Sequence, residues 1–188
     1  MGRGLSQWSY RLAVDKNYRD QQLGYKLKQY QKEACKKMGF DQIYWSYDPL
    51  ESKNAYLNLI KLGCEVISYE RDFYKDSKSV IHSGLHTDRL IVRLPLSDST
   101  VTGIDNQNIT LLENEDLPVI QAVGPFPSLF KFEIPSDIQG LKLENNSLAE
   151  QYSQQVRDVL SSALDTHTII HFYRDNTTSQ SFYILKER

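Results

Sequence analysis

The stretch Val14-Asp15-Lys16-Asn17-Tyr18-Arg19-Asp20-Gln21-Gln22-Leu23-Gly24-Tyr25-Lys26-Leu27 carries the reading of this chain. Leu12 and Val14 predict a short strand over residues 10–15, followed by a polar loop over 16–22 that ends where a different period begins. From Leu23 the apolar positions Leu27, Tyr30, Ala34 and Met38 recur at steps of three and four, which places them on one stripe of a helix. Lys26, Lys28, Lys32, Lys36 and Lys37 lie away from that stripe and read as a solvated face rather than a nucleic-acid contact; Gly39 is the natural stop. A strand feeding a helix through such a loop turns successive backbone amides toward one point, and the helix dipole adds partial positive charge there. That arrangement suits a pyrophosphate, although a plain strand–turn–helix connection has the same outline. The dipole supplies about 1 kcal/mol or less at an exposed site, so the amides and the loop shape must provide most of any affinity.

Outward from this stretch, Ile43, Trp45 and Tyr47 alternate with Tyr44 and Ser46, an aromatic strand closed by Asp48-Pro49. A second helix fits residues 52–62, with Ala55, Leu59 and Leu62 on one face and Gly63 as its stop. Strands follow at 64–69 and 88–96, separated by a polar loop. Strand and helix in alternation predict an α/β unit over residues 10–96. Residues 97–116 read as a connector. Beyond it, residues 117–123 and 129–134 predict two strands around Gly124-Pro125-Phe126-Pro127, with the prolines limiting them to edges or ends. Ser147 and Glu150 form a capping box ahead of a helix with Leu148, Tyr152, Val156, Val159, Leu160 and Ala163 on one face. A hairpin over 168–174 and 181–186 completes an α+β extension spanning 117–188. No sequence repeat is present.

The composition sets limits. The 188 residues are 40% hydrophobic and 24% charged, with net charge −2, which describes globular structure and argues against a general nucleic-acid binder. The two cysteines, Cys35 and Cys64, lie inside patterned segments and read as small apolar residues in a reducing compartment. No run approaches the roughly 18–20 apolar residues of a membrane span, and no signal peptide precedes the pattern, so a soluble cytoplasmic protein is expected. His82 and His86 lack a third ligand, and Gly84 between them weakens the helix an aligned pair needs, so no metal is expected. The Gly2 myristoylation pattern and the Asn-x-Ser/Thr triplets at Asn108, Asn145 and Asn176 carry no weight here.

Arg19-x-x-Gln22-x-Gly24 resembles motif A of the GNAT acyltransferases, an Arg/Gln-x-x-Gly-x-Gly/Ala loop that grips the pyrophosphate of acyl-coenzyme A. Gln22 stands where the family has its first glycine. Tyr44-Trp45-Ser46-Tyr47-Asp48-Pro49-Leu50, Asn54-Ala55, Lys61-Leu62-Gly63 and Thr87-Asp88-Arg89 are similar to an uncharacterised subgroup of predicted GNAT proteins. The similarity extends through Glu133-Ile134-Pro135-Ser136-Asp137-Ile138, Leu148-Ala149 and Phe182-Tyr183-Ile184-Leu185, the C-terminal extension of that subgroup.

The resemblance implies a GNAT-like acyl-CoA N-acyltransferase fold whose N-terminal part is missing, a mixed sheet with flanking helices, plus the extension. Its cofactor would be acetyl-CoA or another acyl-CoA, held by Ala13, Val14, Arg19, Gln21, Gln22, Leu23, Gly24, Tyr25 and Asn54. Ala13 and Val14 take the place of the strand that pairs with the pantetheine arm. The acceptor would be an unidentified small-molecule or peptide amine, with Trp45, Tyr47, Asp48, Asp88 and Arg89 as candidates for its site. Each has a plainer alternative: Trp45 and Tyr47 as core, Asp48 as a turn residue, Asp88 and Arg89 as an exposed local pair. The family's proton-donating tyrosine corresponds to Leu59, and Tyr56 projects roughly 60° away on an ideal helix, so no catalytic acid is assigned. The alternative function is a non-catalytic CoA-binding or protein-interaction module. The family's first strands and helices, some 60–70 residues by typical element lengths, have no counterpart before Tyr10. This predicts an exposed sheet edge, from a truncated product or from a sheet completed by a second copy or a partner chain.

Overall fold

The alternation in the aromatic segment becomes β2 (Gln42–Tyr47), whose Ile43, Trp45 and Tyr47 are buried while the residues between them are half-exposed. The computed structural model describes residues 4–74, 85–97, 116–175 and 180–188. Ahead of β2 come β1 (Ser6–Trp8), a 3-10 turn (Lys16–Tyr18) and α1 (Leu23–Lys37). After it come α2 (Ser52–Ala55), continued as a π-helix (Tyr56–Lys61), then β3 (Glu65–Glu70) and β4 (Arg89–Pro95). The second half runs β5 (Val119–Ile120), β6 (Leu129–Pro135), α3 (Ile138–Glu144), α4 (Asn146–Ala163), β7 (His167–Asp175) and β8 (Gln180–Glu187).

The chain is thus mixed α/β, with two mixed four-stranded sheets in the orders β1-β2-β4-β3 and β5-β6-β8-β7. In the first, β1 is parallel to β2 and the other pairs are antiparallel; in the second, β5 is parallel to β6 and the others are antiparallel. The connector expected over 97–116 lies mostly outside the described residues, and the two sheets share one interior. Ile43, Trp45 and Val92 belong to the same continuous core as Phe130, Phe132, Val159, Phe172 and Leu185. Buried hydroxyls stitch the halves together: Tyr183 donates to the Pro49 carbonyl at 2.8 Å, and Ser52 and Ser181 share a 2.7 Å hydrogen bond.

Several expectations need correction. Residues 10–15 are not a strand. The parallel position beside β2 is taken by Ser6–Trp8, which leaves Tyr10 and Leu12 exposed. Two alternating apolar residues carry little information without a strand edge to pair with. The segments around Gly124 do not form a hairpin: β5 shrinks to Val119–Ile120 and runs parallel to β6, with the Pro118 carbonyl accepting from Lys131 N at 3.0 Å. The cap of α4 is Asn145, whose Oδ1 accepts from Leu148 N at 3.1 Å; Glu150 instead accepts from Asn146 Nδ2 at 2.7 Å. Gly39 and Gly63 do stop their helices, with φ of +80° and +66°. Cys35 and Cys64 are buried free thiols.

Candidate functional site

The loop ahead of α1 is built from local hydrogen bonds. Asp15 Oδ1 accepts from Asn17 N at 2.9 Å and starts the 3-10 turn, and Arg19 Nε donates to the Val14 carbonyl at 3.2 Å. Two residues then take left-handed backbone conformations, Asp20 at φ +61° and Gln22 at φ +60°. Gln22 is the N-cap of α1, and its carbonyl accepts the first helical bond, from Lys26 N at 3.0 Å. No side chain caps this end and the first turn carries no acid, so the leading amides of Leu23, Gly24 and Tyr25 are not masked by a side-chain cap. Lys53 Nζ reaches Asp20 Oδ1 at 3.3 Å, tying the loop to the start of α2, where the exposed Asn54 stands. Arg19, Gln21 and Gln22 are exposed, and Leu23, Gly24 and Tyr25 are half-buried. A side chain at Gly24 would meet only Leu57 at 3.7 Å and Leu12 at 3.9 Å, both ordinary contacts.

Between this loop and β1 the chain leaves the sheet. The β1–β2 ladder runs Ser6↔Gln42, Gln7↔Ile43 and Trp8↔Tyr44, and Ser9 N donates to the Tyr44 carbonyl at 2.7 Å. The chain then leaves β2, while on the other side β4 pairs as far as Tyr47↔Leu90. Trp45 to Tyr47 therefore have a ladder on one side and a wedge on the other. Ala13 and Val14 lie on the departing segment rather than on a paired strand.

At the apex of the wedge is a polar cluster that the pattern of α1 misplaces. Lys28 is 4% exposed, whereas Leu27, Tyr30 and Met38 of the apolar stripe are 47%, 77% and 67% exposed. The inward face of α1 is instead Gly24, Lys28, Gln31 and Cys35, the same three-and-four spacing one position out of phase. Lys28 Nζ donates to Ser9 Oγ at 3.0 Å and to Gln31 Oε1 at 3.2 Å, and sits 3.7 Å from the Trp45 ring centroid. Ser9 Oγ lies 3.2 Å from Gln31 Oε1, and Trp45 Nε1 donates to Asn58 Oδ1 at 3.1 Å. Burial lowers the Lys28 ammonium to about 8, and the same effect pushes the nearby Cys64 thiol up to about 12.

The candidates from the far end of β2 separate into two groups. Trp45 and Tyr47 are core, and burial raises the Tyr47 hydroxyl well above its ordinary value. Asp48 Oδ2 pairs with Arg89 Nη1 at 3.2 Å, and the Arg89 guanidinium lies 5.1 Å from the Tyr74 ring centroid. Asp88 is not an exposed partner of Arg89. It is buried and accepts from Arg157 Nε at 2.8 Å, Tyr69 OH at 2.5 Å, Asp72 N at 2.8 Å and Arg157 Nη2. Burial pushes its carboxyl up, but these donors together outweigh that and hold it below the usual carboxylate range. Arg157 also reaches Asp72 Oδ1 at 2.5 Å, so one arginine of α4 binds two carboxylates of the first half. Nothing in the spacing of residues 72, 88 and 157 announces this cluster.

His86 bonds Gln154 through Nε2 at 2.9 Å, and His82 lies outside the described residues. Among the described residues no group of three metal-ligating side chains occurs, and no helix is long and apolar enough to cross a membrane. An open cleft of about 840 Å³ lies along α4 between Arg71, Gln154, Asp158 and Ser162, and none of the loop residues lines it.

No known protein family and no characterised protein matches this chain.

Proposed function

We propose that this chain is a GNAT-type N-acyltransferase, which transfers an acetyl or other acyl group from acyl-CoA to an amine. The observation that carries the reading is Gln22. A non-glycine residue at φ +60° costs roughly 1–2 kcal/mol, yet the backbone holds that conformation at the one loop position where the family pattern has its first glycine. Asp20 shares the left-handed conformation at φ +61°, and two such residues ahead of uncapped amides support a phosphate-cradling turn. The end of pairing with β2 at Ser9 supports the same reading, since a pantetheine arm needs room between β2 and the departing chain. The edge position of β1 among the described residues and the exposed Leu5, Trp8 and Tyr10 on and beside it fit a partner chain there. A non-catalytic CoA-binding module is the second reading, favoured by Leu59, which has no proton to give.

Calorimetric titration with acetyl-CoA tests both. Gly24→Asp brings negative charge to the turn and should weaken binding at least about tenfold, whereas Gly24→Ala, which meets only the two leucines, serves as the folding control. Unchanged affinity in Gly24→Asp would refute the loop assignment. Absence of heat and of any thermal shift at millimolar acetyl-CoA would sink both readings.

A further inference from the structure

Lys28 is a buried cation for which folding alone offers no need. Its neighbours are a hydroxyl, an amide oxygen, an indole face and two thiols, Cys35 and Cys64; Glu65 and Lys32 act on Cys64 rather than pairing with it. An unbranched apolar side chain would fill the same space without the cost of removing an ammonium from water. Three features give the group a chemical direction. Two of its N–H bonds go to Ser9 Oγ and Gln31 Oε1, and the indole face lies against the ammonium. Ser9, the first of these acceptors, is the last residue of the β1 segment still bonded to β2, so it stands at the point where the chain leaves that strand. Finally, the Ser9 hydroxyl donates to Gln31 at rest, and a rotation about its C–O bond would redirect that proton into the wedge.

We propose that the Ser9 hydroxyl donates a proton to the departing sulfur of the acyl thioester and that Lys28 replenishes it, filling the role for which Leu59 is unsuited. The proposal rests on the acyltransferase reading above. In the step, the attacking amine forms the new C–N bond at the acyl carbon and the C–S bond breaks. The sulfur takes the Ser9 proton, Ser9 Oγ takes one from the Lys28 ammonium, and Lys28 is left neutral. The proton released by the amine restores it through solvent. A group lowered to about 8 is well matched to this task, because an ordinary thiol titrates near 8.5. Ser9 would touch the reacting atom; Lys28 acts through it and is a positioning residue.

The group that protonates the leaving thiolate must also hold it in the product complex, so the test needs no acceptor. Coenzyme A and desulfo-coenzyme A are titrated calorimetrically from pH 6 to pH 8 into the wild-type chain, Ser9→Ala and Lys28→Met. In the wild type, coenzyme A should release a proton on binding at pH 7 and its affinity relative to the desulfo analogue should rise about tenfold over that range. Lys28→Met should flatten the ratio while leaving desulfo-coenzyme A affinity unchanged, and Ser9→Ala should reduce it. If both ligands bind the wild type with the same pH dependence, the proton-donor assignment fails while the acyltransferase reading stands; a difference that survives in Lys28→Met overturns it equally. If neither ligand binds, it is the acyltransferase reading itself that has failed.

Discussion

The two sheets of this molecule repeat one plan. Each begins with a short edge strand, continues with a parallel neighbour and closes with an antiparallel pair inserted in reverse, β1-β2-β4-β3 and β5-β6-β8-β7. They differ in what joins the two parallel strands. From β1 to β2 the chain makes a long excursion through the polar loop and α1, while from β5 to β6 it passes only through residues 121–128. Parallel neighbours usually require a dozen or more residues of crossover, and the second sheet meets the constraint by shrinking β5 to two residues. The comparison teaches that strand order does not carry the candidate chemistry here. The amides, the strained Gln22 and the Lys28 cluster all belong to the one excursion that the second sheet lacks.

The helices divide the same way. α4 buries seven residues, Arg157 among them, whereas α1 buries Lys28 and Cys35 and shows its apolar stripe to solvent. Mutation can break this contrast or sharpen it. The largest effect is expected in the closed half: Phe132→Ala should cost about 3–5 kcal/mol in denaturant unfolding, while Tyr30→Ser on α1 should stay within about 0.5 kcal/mol. Equal losses would mean that the two halves are sealed alike. Next comes the ionic bond between them. Arg157→Met leaves Asp88 buried without its cation and should cost about 3 kcal/mol near neutral pH. The folded Asp88 carboxyl is held below its ordinary 3.8, so its stabilisation is present above that pH and is lost as pH falls through the lower folded value. Arg157→Met should therefore also flatten the acid limb of the stability curve, and an unchanged limb would show that the pair is not the acid-sensitive element. The smallest effect is a gain: Gln22→Gly should raise stability by about 0.5–1 kcal/mol by relieving the left-handed backbone, read as a shift in thermal midpoint. A loss instead would show that the Gln22 side chain holds the loop.

How much of this was legible depended on whether the deciding contact was local. The alternation of β2, the apolar face of α4, the β7–β8 hairpin and the glycine stops all follow from periodicity and backbone sterics within a few residues. The position of β1 was not legible, because parallel pairing is chosen by the partner strand and not by the alternation of Leu12 and Val14. Lys28 was misread because α1 carries two stripes of the same spacing, and residue class favours the one with Leu27, Tyr30 and Met38. The signal that could have found it was Cys35, a residue type more often buried than Tyr or Met, which lies on the stripe of Lys28 and Gln31. The Asp88–Arg157 pair joins residues 69 apart, beyond the reach of any pattern.

The π-helical stretch over Tyr56–Lys61 has a consequence for comparing sequences. There Leu62 N bonds the Leu57 carbonyl, one residue further back than an α-helix would choose, so the segment holds more chain than its turns require. Aligning it without gaps against an ordinary helix matches residues by count, whereas neighbours in space match by rotation about the axis. The assignment of Leu59 to the tyrosine's place comes from counting, and the 60° offset given to Tyr56 assumes an ordinary turn. An extra residue absorbed in this way rotates the side chains on one flank of the helix relative to those on the other, and leaves the helix outwardly unchanged.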